Sequence, residues 1–258
     1  MLHMHRKNWR EWLLGVVTVV AIAAAFSLAP IPQDAGYHEF ADRRVLFGIP
    51  NFWNVFSNLS FVLVGVFGLS KLSRLQTSSP RAANLIFCIG IIFVGLGSAY
   101  YHYSPSTRLL VWDRLPMTVV FMAFFAMVVR DRISEPLGNG ILWPLIFAGV
   151  ASVGYWYWTE LQGQGDLRAY GLIQFLPMLL IPLMLMLYAG KGLSTSLLWG
   201  TLGTYALTKV AEHFDQDIYD ITGVMSGHSI KHVLGSFALL WAVFAITQMH
   251  GLILKRNY

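Results

Sequence analysis

Apolar runs close to the ~20 residues needed to cross a bilayer recur along this chain from end to end. That recurrence constrains its fold more than any other feature. Eight such runs can be read, at about 11–29, 52–72, 83–102, 109–129, 141–159, 169–189, 195–211 and 228–253. They are joined by short linkers, with no low-complexity segment and no internal repeat. The runs are continuous rather than alternating, which argues against a transmembrane barrel. Charged residues are only 12% of the chain, about half of the roughly 25% usual in a soluble domain. The expectation is an all-α, multi-pass integral membrane protein.

A net charge of +5 would suggest nucleic acid in a soluble protein. Here the basic residues fall in short loops, so membrane orientation accounts for them and no nucleic-acid partner is expected. With the amino terminus inside, the inner segments hold Arg6, Lys7, Arg10, Lys71, Arg74, Arg81, Arg130, Arg132, Lys191, Lys255 and Arg256. The outer segments hold Asp34, Glu39, Asp42, Glu160, Asp166, Glu212, Asp215, Asp217 and Asp220. Both termini then face the cytoplasm, and in a bacterium the protein would sit in the plasma (inner) membrane. The first run follows a basic start and ends in small residues, as a secretory signal does. Pro30 directly after Ala29, and the length of the run, favour a retained helix. Residues 1–30 are therefore expected to form an amino-terminal transmembrane helix, and 31–258 the main membrane domain. The one cysteine, Cys88, lies in an apolar run and reads as a small core residue.

Polar residues collect at one depth. This topology puts His102 at the outer end of the third run and Asp113 near the outer start of the fourth. His228 opens the last run from the same side, with His232 one turn deeper. The separation of four places His228 and His232 on one helix face, and stacks Ser98 below His102 in the same way. Two histidines at that spacing and a third from another helix suit a zinc ion that keeps a fourth position for water. Zinc lowers the pKa of such a water to ~7. Asp113 is then a proton acceptor or orients a histidine, and Ser98 a hydrogen-bond donor to the water or the developing oxyanion. Ionisable residues inside spans are costly, so such a convergence points to function. A Ser98–His102–Asp113 hydrolase triad is the weaker chemistry, because no Gly-x-Ser-x-Gly elbow presents the serine. It would also leave His228 and His232 without a role.

At these residues the chain resembles the alkaline ceramidase family, within the membrane hydrolase superfamily that includes the adiponectin receptors. Three blocks carry the resemblance: "IPNFWNVFSNLSFVLVG" (49–65), "GLGSAYYH" with "WDRLPM" (95–102 and 112–117), and "SGHSIKH" (226–232). The resemblance implies a seven-transmembrane-helix core to which the first helix is an addition. It implies zinc on His102, His228 and His232, assisted by Ser98 and Asp113. It also implies hydrolysis of a ceramide-like amide lipid to a sphingoid base and a fatty acid, and an outward-facing amino-terminal end of the core, in agreement with the charge count that puts the site toward the outer face. Family members with a calcium site carry an acidic cluster near the start of the core, with a Glu where this chain has Asn51. Asp34, Glu39, Asp42 and Asn51 still offer oxygens to Ca2+, although solvated loop charges are the ordinary reading.

Other residues take bland readings beside sharper ones. Lys231 is expected to snorkel toward the interface, or to meet an anionic headgroup. Glu212 or Asp215 is either a solvated acid or an acceptor for a histidine ring. His213 is interfacial, and Tyr100, Tyr101, Tyr103 and Trp112 fit the aromatic belt. The alternative to an enzyme is a receptor-like or lipid-binding seven-helix protein with a structural zinc. A transporter is weaker, since no repeat of broken helices is visible. Acyl preference, oligomeric state and the direction of the reaction in the cell are not encoded legibly.

Overall fold

A computed structural model describes residues 9–74 and 81–256. Arg6 and Lys7 of the basic start lie outside the described residues, as do the side chains of Arg81, Lys255 and Arg256. The order is α1 (Trp9–Ser27), a 3-10 turn (Ala35–His38), α2 (Phe52–Phe56), α3 (Leu59–Ser73), α4 (Arg81–Tyr103) and α5 (Thr107–Arg132). Then come α6 (Glu135–Leu161), α7 (Arg168–Leu187), α8 (Thr195–His213), α9 (Asp215–Thr222) and α10 (Gly227–Arg256). Beyond one isolated bridge between Leu46 and Ile49, the described residues form no β-structure. α2 and α3 run on as one apolar helix interrupted at Ser57 and Asn58.

Among the described residues seven helices are long and apolar enough to cross a membrane: α1, α2 with α3, α4, α5, α6, α7 and α10. α8 has comparable length, at 19 residues, but its threonines, Lys209 and Glu212 leave it without the apolar run that the other seven have. It packs along α10 nonetheless, so the bundle counts seven helices from α2–α3 to α10, with α1 as an eighth outside it. Successive helices lie side by side, and α10 returns to α3 to close the ring. The exception is α7 and α8, which scarcely touch.

Why this chain makes these helices is visible in their ends and faces. Ser106 and Ser134 accept hydrogen bonds from Leu109 N and Leu137 N and so cap α5 and α6. The dry interior gathers Phe87, Cys88, Ile91, Met127 and Ile246, all fully buried, which bears out the core reading of Cys88. Large apolar side chains cover the outside, among them Trp12, Leu63, Phe93, Trp143 and Phe147. In lipid that surface costs little, because helices satisfy most of their backbone hydrogen bonds internally. α1 is almost wholly exposed and rests on α7.

Candidate metal centre

Two local devices bring α4 against α5 at one end of the bundle. Pro116 lacks the N–H that would bond the carbonyl of Trp112 one turn back. Gly97 faces that carbonyl, and any Cβ there would collide with it. The close approach sets Ser98 beside Asp113 at the cavity wall. Gly227 does the same for α10, since a Cβ would strike the Ala211 carbonyl and Asp215. Here the Asp215 carboxylate accepts from His228 N at 2.6 Å and from Ala41 N at 3.0 Å. It therefore caps the start of α10 and ties down the segment before α2.

His102, His228 and His232 converge as their spacing predicted. Their ring centroids lie 4.8–5.0 Å apart, and one nitrogen from each lies within 4.8 Å of the others. Among the described residues this is the one group of three that could hold a metal ion. The donors fit such an ion. His102 Nδ1 and His228 Nε2 are buried without any hydrogen-bond partner, which is costly unless a ligand satisfies them. His232 Nδ1 is bonded to Ser57 Oγ at 2.8 Å, which leaves its other nitrogen for the centre. Phe40 closes the site from above, its ring 4.7 Å from His102 and 4.5 Å from His228.

Below the histidines a cavity of about 130 Å³ runs into the bundle. Its polar head carries Ser98, Asp113, Tyr205, Glu212 and Lys231, and its depth is walled by Phe61, Val94, Phe124, Met178, Leu202 and Leu239. The site is therefore the head of an amphipathic space, with chemistry at one end and room for a chain at the other.

Some expectations change. Lys231 does not snorkel: it lines the cavity and pairs with Glu212, which also takes Lys209 at 2.9 Å. Those two lysines use both oxygens of Glu212, so it orients no histidine, and Asp215 holds the backbone of His228 rather than its ring. Tyr101 is buried, donating to or accepting from His38 Nδ1 at 2.8 Å, whereas Tyr100, Tyr103 and Trp112 are exposed as a belt requires. His213 is exposed and takes no part. The four oxygen-bearing residues do not gather for calcium: Asp34 caps Gly36 N, Glu39 meets Arg43, Asp42 is held by Arg44, and Asn51 donates to the His102 carbonyl. An arginine placed beside Asp42 supplies the positive charge that an ion would have brought.

Ser57 and Asn54 were missed by sequence reasoning. Asn54, fully buried, donates to Asp42 O at 3.1 Å and accepts from Ser229 Oγ at 2.7 Å. The available signal was the run of Asn51, Asn54, Ser57 and Asn58 at helical spacing within an otherwise apolar stretch. Outside the centre, His38 has its pKa lowered by burial and then by the nearby Arg114. The Asp166 carboxyl is held down at about 2, chiefly by the Arg168 guanidinium.

A family model described as Ceramidase matches residues 44–251. Over 115 residues the chain is 27% identical to a Dictyostelium discoideum protein named "Putative alkaline ceramidase dcd3A". That match spans 36% of this chain and 40% of the relative's length.

Proposed function

The chain belongs to the ceramidase family, and from that premise we propose that it is a zinc-dependent membrane amidase. It would cleave a ceramide-like lipid, with water, into a sphingoid base and a fatty acid. The observation that carries this reading is the pair of partnerless ring nitrogens on His102 and His228 at the polar head of an apolar cavity. Zinc, when bound there, would supply Lewis acidity toward the amide carbonyl and a water acidic enough to act near neutral pH. His102, His228 and His232 would hold it, with Ser57 fixing the tautomer and aim of His232.

The remaining steps fall to side chains. Asp113 accepts the proton lost by the attacking water and passes it to the leaving amine nitrogen. Ser98 first donates to Asp113; once that carboxyl is protonated, its hydroxyl is free to donate to the amide oxygen as charge builds there. Phe40 excludes bulk water from above. The acyl chain lies in the apolar depth between α3, α5, α7 and α10. By the charge count the site faces outward in a multi-pass protein of the plasma membrane, with residues 31–258 as the working domain and 1–30 an added helix.

The test is to incubate the purified protein and its His102→Ala variant with a ceramide of defined chain length. Bound zinc and released sphingoid base are measured together. The expected result is loss of both in the variant, with membrane insertion kept. Full hydrolysis by a metal-free variant would sink the mechanism. Zinc bound by the wild type with no lipid turnover would favour a structural ion and a binding role.

A further inference from the structure

One turn of α5 carries two ionisable residues, and the proposed hydrolysis uses only Asp113. Its neighbour Arg114 is 5% exposed and points to a different place. The guanidinium carbon sits 4.2 Å from the Trp156 ring, 4.8 Å from Tyr170 and 5.6 Å from Tyr37. Nη2 donates to Gln33 Oε1 at 2.6 Å. Nη1 is buried with no partner at all. Among the described residues no carboxylate pairs with this arginine. The acids nearby bond other groups: Glu160 Oε1 accepts from Gln33 N and Trp156 Nε1, Glu212 holds two lysines, and Asp113 feels the guanidinium's charge without an ion pair to it. A guanidinium taken from water normally finds a carboxylate or phosphate. This one has aromatic faces around it and an open N–H.

Arg114 lies at the head of a groove in the membrane-facing side of the protein. One wall is α1, through Ala21, Ala25 and Leu28; the other is α7, through Gly171, Phe175 and Leu179. The alanines leave the space that larger residues would fill. Tyr37, Tyr170, Lys209 and Glu212 line both this groove and the cavity under the histidines, so the two meet where α7 and α8 are barely in contact. α1 and Gln33 fall outside residues 44–251, so this wall is something the chain adds to the family's core.

We infer that this groove binds a long-chain fatty acid, its carboxylate on Arg114 and its chain between α1 and α7. An apolar slot for one chain, headed by a buried guanidinium with an open N–H and no ion-pair partner, with Arg168 and Lys209 also in its lining beside Glu212, is complementary to a single-chain anion. The source of the carboxylate rests on the proposed hydrolysis, which would release it next door. The groove then retains that product, and a filled groove slows the next turnover.

Binding of palmitate to the purified full-length protein in detergent tests this, read by displacement of a fluorescent fatty acid. Arg114→Gln should weaken palmitate at least tenfold, Arg114→Lys should keep part of the affinity, and methyl palmitate should be insensitive to both. Ala25→Trp fills the slot without touching the charge and should weaken palmitate as well, which guards against misfolding of the arginine variants. His102→Ala should bind palmitate as the wild type does. Unchanged palmitate affinity in both Arg114→Gln and Ala25→Trp overturns the site. Stronger, Arg114-dependent displacement by phosphatidylglycerol overturns the fatty-acid assignment in favour of a phospholipid. If the wild type hydrolyses no ceramide yet binds palmitate through Arg114, this site stands and the proposed enzyme falls. Hydrolysis with Arg114-independent binding gives the reverse.

Discussion

The bundle buries polar clusters at both ends, and they are built oppositely. At the end that the charge count assigns to the inside, Asp131 and Arg132 are 5% and 2% exposed and pair at 3.0 Å. Asp131 Oδ1 accepts from Gly192 N and Leu193 N, while the Arg132 guanidinium donates to the carbonyls of Tyr188 and Leu193 and to Thr195 Oγ1. Asp131 Oδ2 and Arg132 Nε have each other as an ion pair, the loop answers the other atoms, and the effect is to pin the loop between α7 and α8 to α5. At the outer end the protein answers only part of its polarity. Ser57, Asp215 and Phe40 fix the histidines in place, yet two ring nitrogens face a cavity with nothing to bond. A satisfied buried cluster stabilises a fold; an unsatisfied one, held rigid, is prepared for a ligand.

That contrast can be broken from the inner end first. Asp131→Ala leaves the Arg132 charge buried and unpaired, which should cost about 3–5 kcal/mol of stability. Ceramide turnover per folded molecule should stay unchanged, as measured by thermal unfolding alongside activity. A loss of specific activity without a loss of stability would mean that the two ends are not separate in purpose. The outer end should behave conversely. Ser57→Ala removes the partner of His232 Nδ1 and should weaken zinc by about 10–100-fold with little change in melting temperature. An unaltered zinc affinity would show that the ring is held by packing alone.

The third expectation concerns a cluster between these extremes, the Asp166–Arg168 pair that secures α1. Arg168 also donates to the carbonyls of Phe26 and Leu28 at the end of that helix. Because the folded-state pKa of Asp166 is depressed to about 2, its contribution is complete above the unfolded value near 4. It should fade as pH falls toward 2, removing about 2 kcal/mol. Asp166→Asn should abolish that part of the acid sensitivity, read from melting curves between pH 5 and pH 2. If the wild type and the variant lose stability in parallel over that range, the pair does not secure the helix.

Much of the outer site was legible because its determinants are local. The four-residue step from His228 to His232 fixes a shared face in any α-helix, and the same step stacks Ser98 under His102. What was not legible rests on contacts between distant residues. Ala41 reaches Asp215 across 174 positions, and Ser57 reaches His232 across 175. No periodicity announces such pairs. The basic residues used to orient the chain illustrate the limit. Arg132 reads as a loop charge, but it lies buried in an ion pair, and Lys191 caps the Ile133 carbonyl.

The chain alone determined that it would be a set of long helices in lipid, because unbroken apolar runs leave the backbone no other way to satisfy its hydrogen bonds there. It also determined which few polar side chains would face inward at one level. Only the packed structure decided what those side chains meet: Asp42 takes an arginine instead of an ion, Lys231 an acid instead of water, and Arg114 three aromatic rings and an open slot. Pairing is a matter of distance in space, and in a helical bundle that distance is set by how the helices cross rather than by where residues stand along the chain.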